Sequence, residues 1–153
     1  MNKIHTRIGV LVALALGMST WLIIGAPGVS SGQTNAIGGP ESPEMIAVKF
    51  HADWCGYCRA MGPAFIDLSN KFDYKPVLFV KLDFTNSSTS KQAEYLAAAL
   101  GLDDAWAEYG GKTGFILLID ADTKTVLDKL MSTDDFKTMK AEFQAALAKA
   151  QRT

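Results

Sequence analysis

Apolar and polar positions divide the chain into one long apolar block near its start and a series of short runs and stripes after it. Residues 8–25 (IGVLVALALGMSTWLIIG) carry no charge at all. From Met45 onward the pattern shortens. Met45–Phe50 and Val77–Asp83 are brief, mostly apolar runs of the kind that form buried strands. Between them Met61, Phe65, Leu68 and Phe72 recur at helical spacing, which predicts a helix over Cys58–Phe72 with one buried stripe and a kink at Pro63. Asn86–Ser90 is polar and reads as a loop. A helix over Lys91–Leu100 follows, with Tyr95, Leu96, Ala99 and Leu100 inward and Gly101 as its C-terminal cap. Phe115–Ile119 reads as a third strand, Ala121–Lys124 as a turn, and Thr125–Leu130 as a fourth strand in hairpin with the third. Ser132 or Thr133 caps a last helix, with Asp134 and Asp135 in its first turn and Phe136, Met139, Phe143, Ala146, Leu147 and Ala150 on its buried side.

The order β-α-β-α-β-β-α predicts an α/β fold: a four-stranded mixed sheet flanked by helices on both faces. Strands linked through helices are expected to run parallel, and the final hairpin antiparallel. The apolar block is a separate matter. Lys3 and Arg7 precede it and no acid does, the arrangement of a secretory signal peptide. Its 18 residues exceed the usual signal core and approach the ~20 that span a bilayer. Both a cleaved signal peptide and an uncleaved anchor over residues 1–25 therefore stay open, each with the rest of the chain exported to the periplasm or another extracytoplasmic space. Residues 26–43, rich in Gly, Ser, Pro and Asn, read as a linker, and residues 44–153 as one domain.

Composition narrows the function classes. The 153 residues are 48% hydrophobic and 20% charged, which suits a globular chain rather than a disordered one. Fifteen basic against sixteen acidic residues leave no positive excess for nucleic acid. Any membrane attachment is expected through the N-terminal segment alone. Two cysteines exclude a disulfide-rich scaffold and a four-cysteine zinc site. No cofactor or metal is expected.

Those two cysteines carry the chemistry. Trp54-Cys55-Gly56-Tyr57-Cys58 follows a predicted strand and opens a predicted helix. A helix N-terminus presents unpaired N–H groups and partial positive charge, so a Cys55 thiolate there should have a pKa below the free-thiol value of about 8.5. The i, i+3 spacing puts both sulfurs on one face, within reach of a disulfide. Cys55 should be the more exposed and Cys58 the more buried, a division that suits attack by one thiol and resolution by the other. Gly56 permits close approach, and Tyr57 offers an apolar face with a polar tip. A purely structural disulfide would close so short a loop that it stabilises little. A zinc site would need two ligands besides the cysteines, and the only histidines are His51 and His5, the latter in the export segment. His51, at the end of the strand, reads as a partly buried residue near the thiols.

The stretch Val48–Pro63, with its strand, its Trp-Cys-Gly-x-Cys motif and its proline-containing helix, resembles the thioredoxin family. Phe79–Asp83 is similar to that family's next strand, and Tyr109–Lys112 to the approach to its substrate loop. The resemblance extends over roughly Met45 to Arg152. It implies a thioredoxin-like fold and thiol–disulfide exchange with protein substrates, with Cys55 as nucleophile and Cys58 as resolving thiol. Trp54, Gly56, Tyr57, Lys49 and His51 would tune the couple, and Trp54, Thr113, Gly114 and Phe115 would meet the substrate. Ala52–Cys55 and Lys81–Thr85 look most like exported reductant domains of bacterial envelopes, which would have an upstream redox partner. The Gly56-Tyr57 pair is similar to that of periplasmic isomerases, but their separate dimerisation domain is not read here. The reading is therefore a reductase acting as a monomer, with a thioredoxin-fold binding or assembly module of weak or no turnover as the alternative.

Two positions depart from the family. A buried acid usually stands six residues before the first cysteine; here that residue is Lys49. The loop facing the cysteines usually carries a cis-proline. A gapless count from Tyr109 puts Phe115 there, preceded by Gly114. A cis bond without proline costs about 2.5–4 kcal/mol, so a trans peptide is expected.

Overall fold

The computed structural model describes residues 42–152. The expected signal or anchor segment and nearly all of the linker lie outside them. Within them no helix is long and apolar enough to cross a membrane.

Four strands form one sheet in the order β2-β1-β3-β4. They are β1 (Met45–His51), β2 (Val77–Asp83), β3 (Phe115–Asp120) and β4 (Val126–Met131). The helices are α1 (Gly56–Lys71), α2 (Ser87–Ala99), α3 (Asp103–Tyr109) and α4 (Phe136–Ala150). Strands β1 and β3 are central, and their near-complete burial explains why both read as continuous apolar runs rather than alternating ones. Side chains on the two sheet faces build two cores. Ile46, Val48 and Phe50 of β1 pack with Ala93 and Ala97 of α2 and Ala105 of α3. Met45 and Ala47 pack on the other side with Met61 and Leu68 of α1 and Met139, Phe143 and Leu147 of α4. The mixed sheet with helices on both faces follows from these two apolar surfaces, as the pattern predicted.

Three expectations need correction. Strand β2 is parallel to β1, but β3, although linked to β2 through helices, is antiparallel to β1. The reason is the additional helix α3, absent from the sequence reading. It returns the chain to the C-terminal end of β1, where the Gly114 N–H meets the Phe50 carbonyl, so β3 enters from that end. Second, of the polar residues 86–90, Asn86 is a helix cap and 87–90 are helix rather than loop. The Asn86 side chain accepts from the N–H groups of Ser88 and Thr89, and the Thr89 hydroxyl accepts from the Asn86 N–H, a reciprocal cap that starts α2 four residues early. The inner face of α2 is then Ala93 and Ala97, while Tyr95 and Leu96 are exposed. Third, the cap of α4 is Asp135, which accepts from Lys137 and Thr138, not Ser132 or Thr133, and Phe136 is consequently outside the buried stripe.

Candidate functional site

Strand β1 ends at His51, and a four-residue connection leads directly into α1. Cys55 is the N-cap of that helix. Its backbone is extended and its sulfur accepts the Cys58 N–H at 3.1 Å. A sulfur in this position takes over the role of a capping oxygen, which stabilises negative charge on it. The first turn of α1 contains no acid to offset the positive helix terminus. Cys55 and Cys58 are joined as a disulfide, with their Cα atoms 5.2 Å apart. Cys55 retains 7% exposure and Cys58 none, so an attacking group reaches the Cys55 sulfur first. Cys58 Sγ lies 3.6 Å from the Phe50 carbonyl, which would accept a hydrogen bond from its thiol in the reduced state.

Trp54 and Tyr57 flank the disulfide and are 63% and 67% exposed. Two large side chains with apolar surface thus stand exposed beside the Cys55 sulfur. Gly114 closes the third side. A Cβ on it would stand 3.6 Å from Cys55 Sγ and 3.1 Å from the Tyr57 Cβ, and its φ is +98°. Gly114 therefore lies directly beside Cys55. Phe115 is buried, its ring stacked on Phe50 at 4.8 Å, in the same core cluster as Cys55 and Cys58. Thr113 is half-buried at the rim. No peptide bond in the described residues is cis, so the bond between Gly114 and Phe115 is trans.

The loop from Ala52 to Trp54 is tied down by residues that the motif did not single out. Thr85 Oγ1 accepts the Asp53 N–H at 3.0 Å, and Arg59 donates to the Asp53 carbonyl at 2.7 Å. The Thr85 N–H in turn bonds to the Asp83 carboxylate at 2.9 Å. Burial pushes the Asp83 carboxyl up, but the hydrogen bonds from Thr85 and the Lys81 ammonium outweigh it and bring its pKa down to about 2. The Asp83-Phe84-Thr85 spacing, an acid two residues before a hydroxyl at a strand end, was the available signal. His51 Nε2 pairs with Asp53 Oδ1 at 3.0 Å, while its Nδ1 is buried with no partner.

Residues 39–97 match the family model for thioredoxin. This region belongs to the thioredoxin family. Among curated relatives, an H-type thioredoxin of Picea mariana is 44% identical over 43 residues, 28% of this chain and 33% of that protein. A thioredoxin of Coprinus comatus is 37% identical over 57 residues, 37% of this chain and 54% of that protein. The alignments thus span between a third and about half of these relatives' length. A solved mutant thioredoxin from Halobacterium salinarum covers 69% of this chain and 76% of its own at 18% identity, with a TM-score of 0.45.

Lys49 occupies the interior of the thioredoxin domain on the α1 side of β1 and is 6% exposed. Its Nζ is 5.6 Å from the Phe65 ring centroid and 3.9 Å from where a Cβ of Gly62 would be. Its register partner on β2 is Lys81. Burial first, and then the Lys81 charge, hold the Lys49 amine below the usual lysine range.

Proposed function

We propose that this chain is an exported thiol–disulfide oxidoreductase that reduces disulfides in protein substrates. The observation that carries the reading is the graded access of the sulfurs at the α1 N-terminus: Cys55 keeps 7% exposure beside Trp54, Tyr57 and Gly114, and Cys58 has none. In the reduced form the Cys55 thiolate attacks a substrate disulfide and expels one substrate thiolate. The Cys58 thiolate then attacks Cys55, releases the second substrate thiolate and leaves the protein disulfide. The full chain should catalyse insulin reduction by dithiothreitol, and Cys55→Ser should abolish it. Equal turnover by that variant would defeat the proposal. A couple near about −270 mV supports a reductant and one near about −120 mV an oxidant.

Export rests on the basic start and uncharged run of residues 1–25. Fractionation of expressing cells separates its two forms: a tethered protein stays with membranes, and a cleaved one is soluble and shortened. Lys49 and Gly114 favour a second reading, a thioredoxin-fold module whose couple forms but exchanges slowly with clients. Stopped-flow exchange at the rate of an active thioredoxin would eliminate it.

A further inference from the structure

The connection from α3 to β3 carries charge that neither the fold nor the exchange chemistry uses. Lys112 stands two residues before Gly114, and Lys129 projects from the edge strand β4. Both are exposed, and both place Nζ over the partly buried Tyr109 ring, at 5.5 Å and 5.8 Å from its centroid. Lys129 Nζ is also 5.6 Å from the Phe115 ring centroid, and the Tyr109 and Phe115 rings are themselves 5.6 Å apart. Two ammonium groups thus share one aromatic platform. The platform borders the site, because Phe115 directly follows Gly114, whose Cβ position is 3.6 Å from Cys55 Sγ.

Like charges gathered on one ring repel, and neither lysine has a carboxylate partner within 4 Å among the described residues. The acids close in sequence are engaged elsewhere. The Lys112 ammonium donates to the Glu108 backbone carbonyl at 2.7 Å, while the Glu108 carboxylate lies at the Tyr109 hydroxyl. The Asp128 carboxylate accepts the Lys129 backbone N–H at 2.8 Å and acts on Glu142 of α4. An ammonium has three N–H donors, so the Glu108 carbonyl holds Lys112 in place without saturating it. In a chain with fifteen basic and sixteen acidic residues, this is a local concentration of positive charge with no internal counter-ion. Charge of that kind at the rim of a site steers and selects an oppositely charged partner.

We propose that Lys112 and Lys129 form a specificity site that selects protein clients carrying Asp or Glu close to the target cystine. The inference rests on the oxidoreductase reading and names the class of client. The pair takes no part in the exchange itself. A client segment that brings its cystine to Cys55 by way of Gly114 runs on towards the Tyr109 platform. Extended chain advances about 3.3 Å per residue, so side chains roughly two to four places from the client cysteine are the ones that meet the two ammonium groups.

The test uses the reduced full chain and the symmetrical disulfides of three synthetic peptides, identical except for Glu, Gln or Lys at those flanking places. Bis(2-hydroxyethyl) disulfide serves as an uncharged reference. The rate ratio of the Glu to the Gln peptide should fall about fivefold to tenfold in Lys112→Gln/Lys129→Gln, because two partly exposed ion pairs are lost. Comparing this ratio between protein variants cancels the peptides' own reactivity. The Lys peptide should speed up relative to Gln in the same variant, and the uncharged disulfide should stay within about twofold. Lys112→Arg/Lys129→Arg should keep the preference, and raising salt to about 1 M should erase most of it. Lys129→Gln alone removes no hydrogen bond of the fold and should give a partial loss of the same sign. An unchanged Glu to Gln ratio in the double variant would overturn the proposal. So would equal slowing of every disulfide, the uncharged one included, which would show that the lysines act on the Cys55 thiolate or on the fold. If the unsubstituted chain reduces neither the uncharged disulfide nor insulin, the oxidoreductase reading falls, and this inference with it; a chain that reduces both without favouring the Glu peptide over its double variant defeats this inference alone.

Discussion

At the scale of single residues the site is built from two positions where ordinary preferences are overridden. Gly114 has φ +98°, outside the range that L side chains adopt comfortably, and a Cβ there would crowd Tyr57 at 3.1 Å. Gly114→Ala is therefore expected to lower stability by about 1–3 kcal/mol, measured by urea unfolding, and to reduce access to Cys55. The equivalent change at Gly101, φ +68°, meets only the flexible end of Lys124 and should cost less, about 1 kcal/mol. Lys49 is the other override. Its pKa is lowered in the folded state, so the buried charge costs stability in full below that folded value, and the cost shrinks as pH rises toward the unfolded value near 10.5. Lys49→Met should accordingly stabilise the fold by on the order of 1 kcal/mol at neutral pH, with the difference fading in alkaline thermal melts.

At the scale of elements, what could be read from the chain depended on how strongly each segment's periodicity was marked. Strands β1, β2 and β3 and helix α1 were legible because their apolar runs are long and their boundaries sharp. Helix α2 was half legible. Its first turn, Ser87–Ser90, contains no apolar residue to mark a face, and its start is set by hydrogen bonding at Asn86 instead. Asn86→Ala removes both acceptor bonds and should cost about 1 kcal/mol, seen as a lower urea midpoint with unchanged slope. Helix α3 was invisible because seven residues carry too little periodicity; only Ala105 of Asp103–Tyr109 is buried. That short helix decided the direction of β3, so missing it misassigned a strand's orientation although the strand itself was found.

At the scale of the whole molecule the candidate site draws on more of the fold than its motif. The Cys-x-x-Cys pair, its place at a helix start and the greater burial of Cys58 were readable from residues 48–63 alone. Two of the side chains behind the site loop, Asp83 and Thr85, were not, because they stand at the far end of β2, 28 residues after Cys55 and 32 after Asp53 respectively, and only the parallel register of β1 with β2 brings His51 opposite Asp83. Through that register the loop depends on a chain of bonds from Asp83 to the Thr85 N–H and from the Thr85 hydroxyl to the Asp53 N–H. The carboxylate at its root has its pKa depressed to about 2, so it contributes stability that is complete above the unfolded value near 3.8 and is lost as pH falls toward 2. Asp83→Asn should therefore be less stable than the unsubstituted chain at pH 7, by on the order of 1 kcal/mol, and the two unfolding curves should converge between about pH 4 and pH 2. If the bonded chain also sets the site loop, Asp83→Asn at neutral pH should shift the rate of Cys55 alkylation as well as the melting temperature. A variant that lost stability with Cys55 reactivity unchanged would confine Asp83 to holding β2 against β1 and leave the placement of Trp54 and Cys55 to Arg59 and the helix cap.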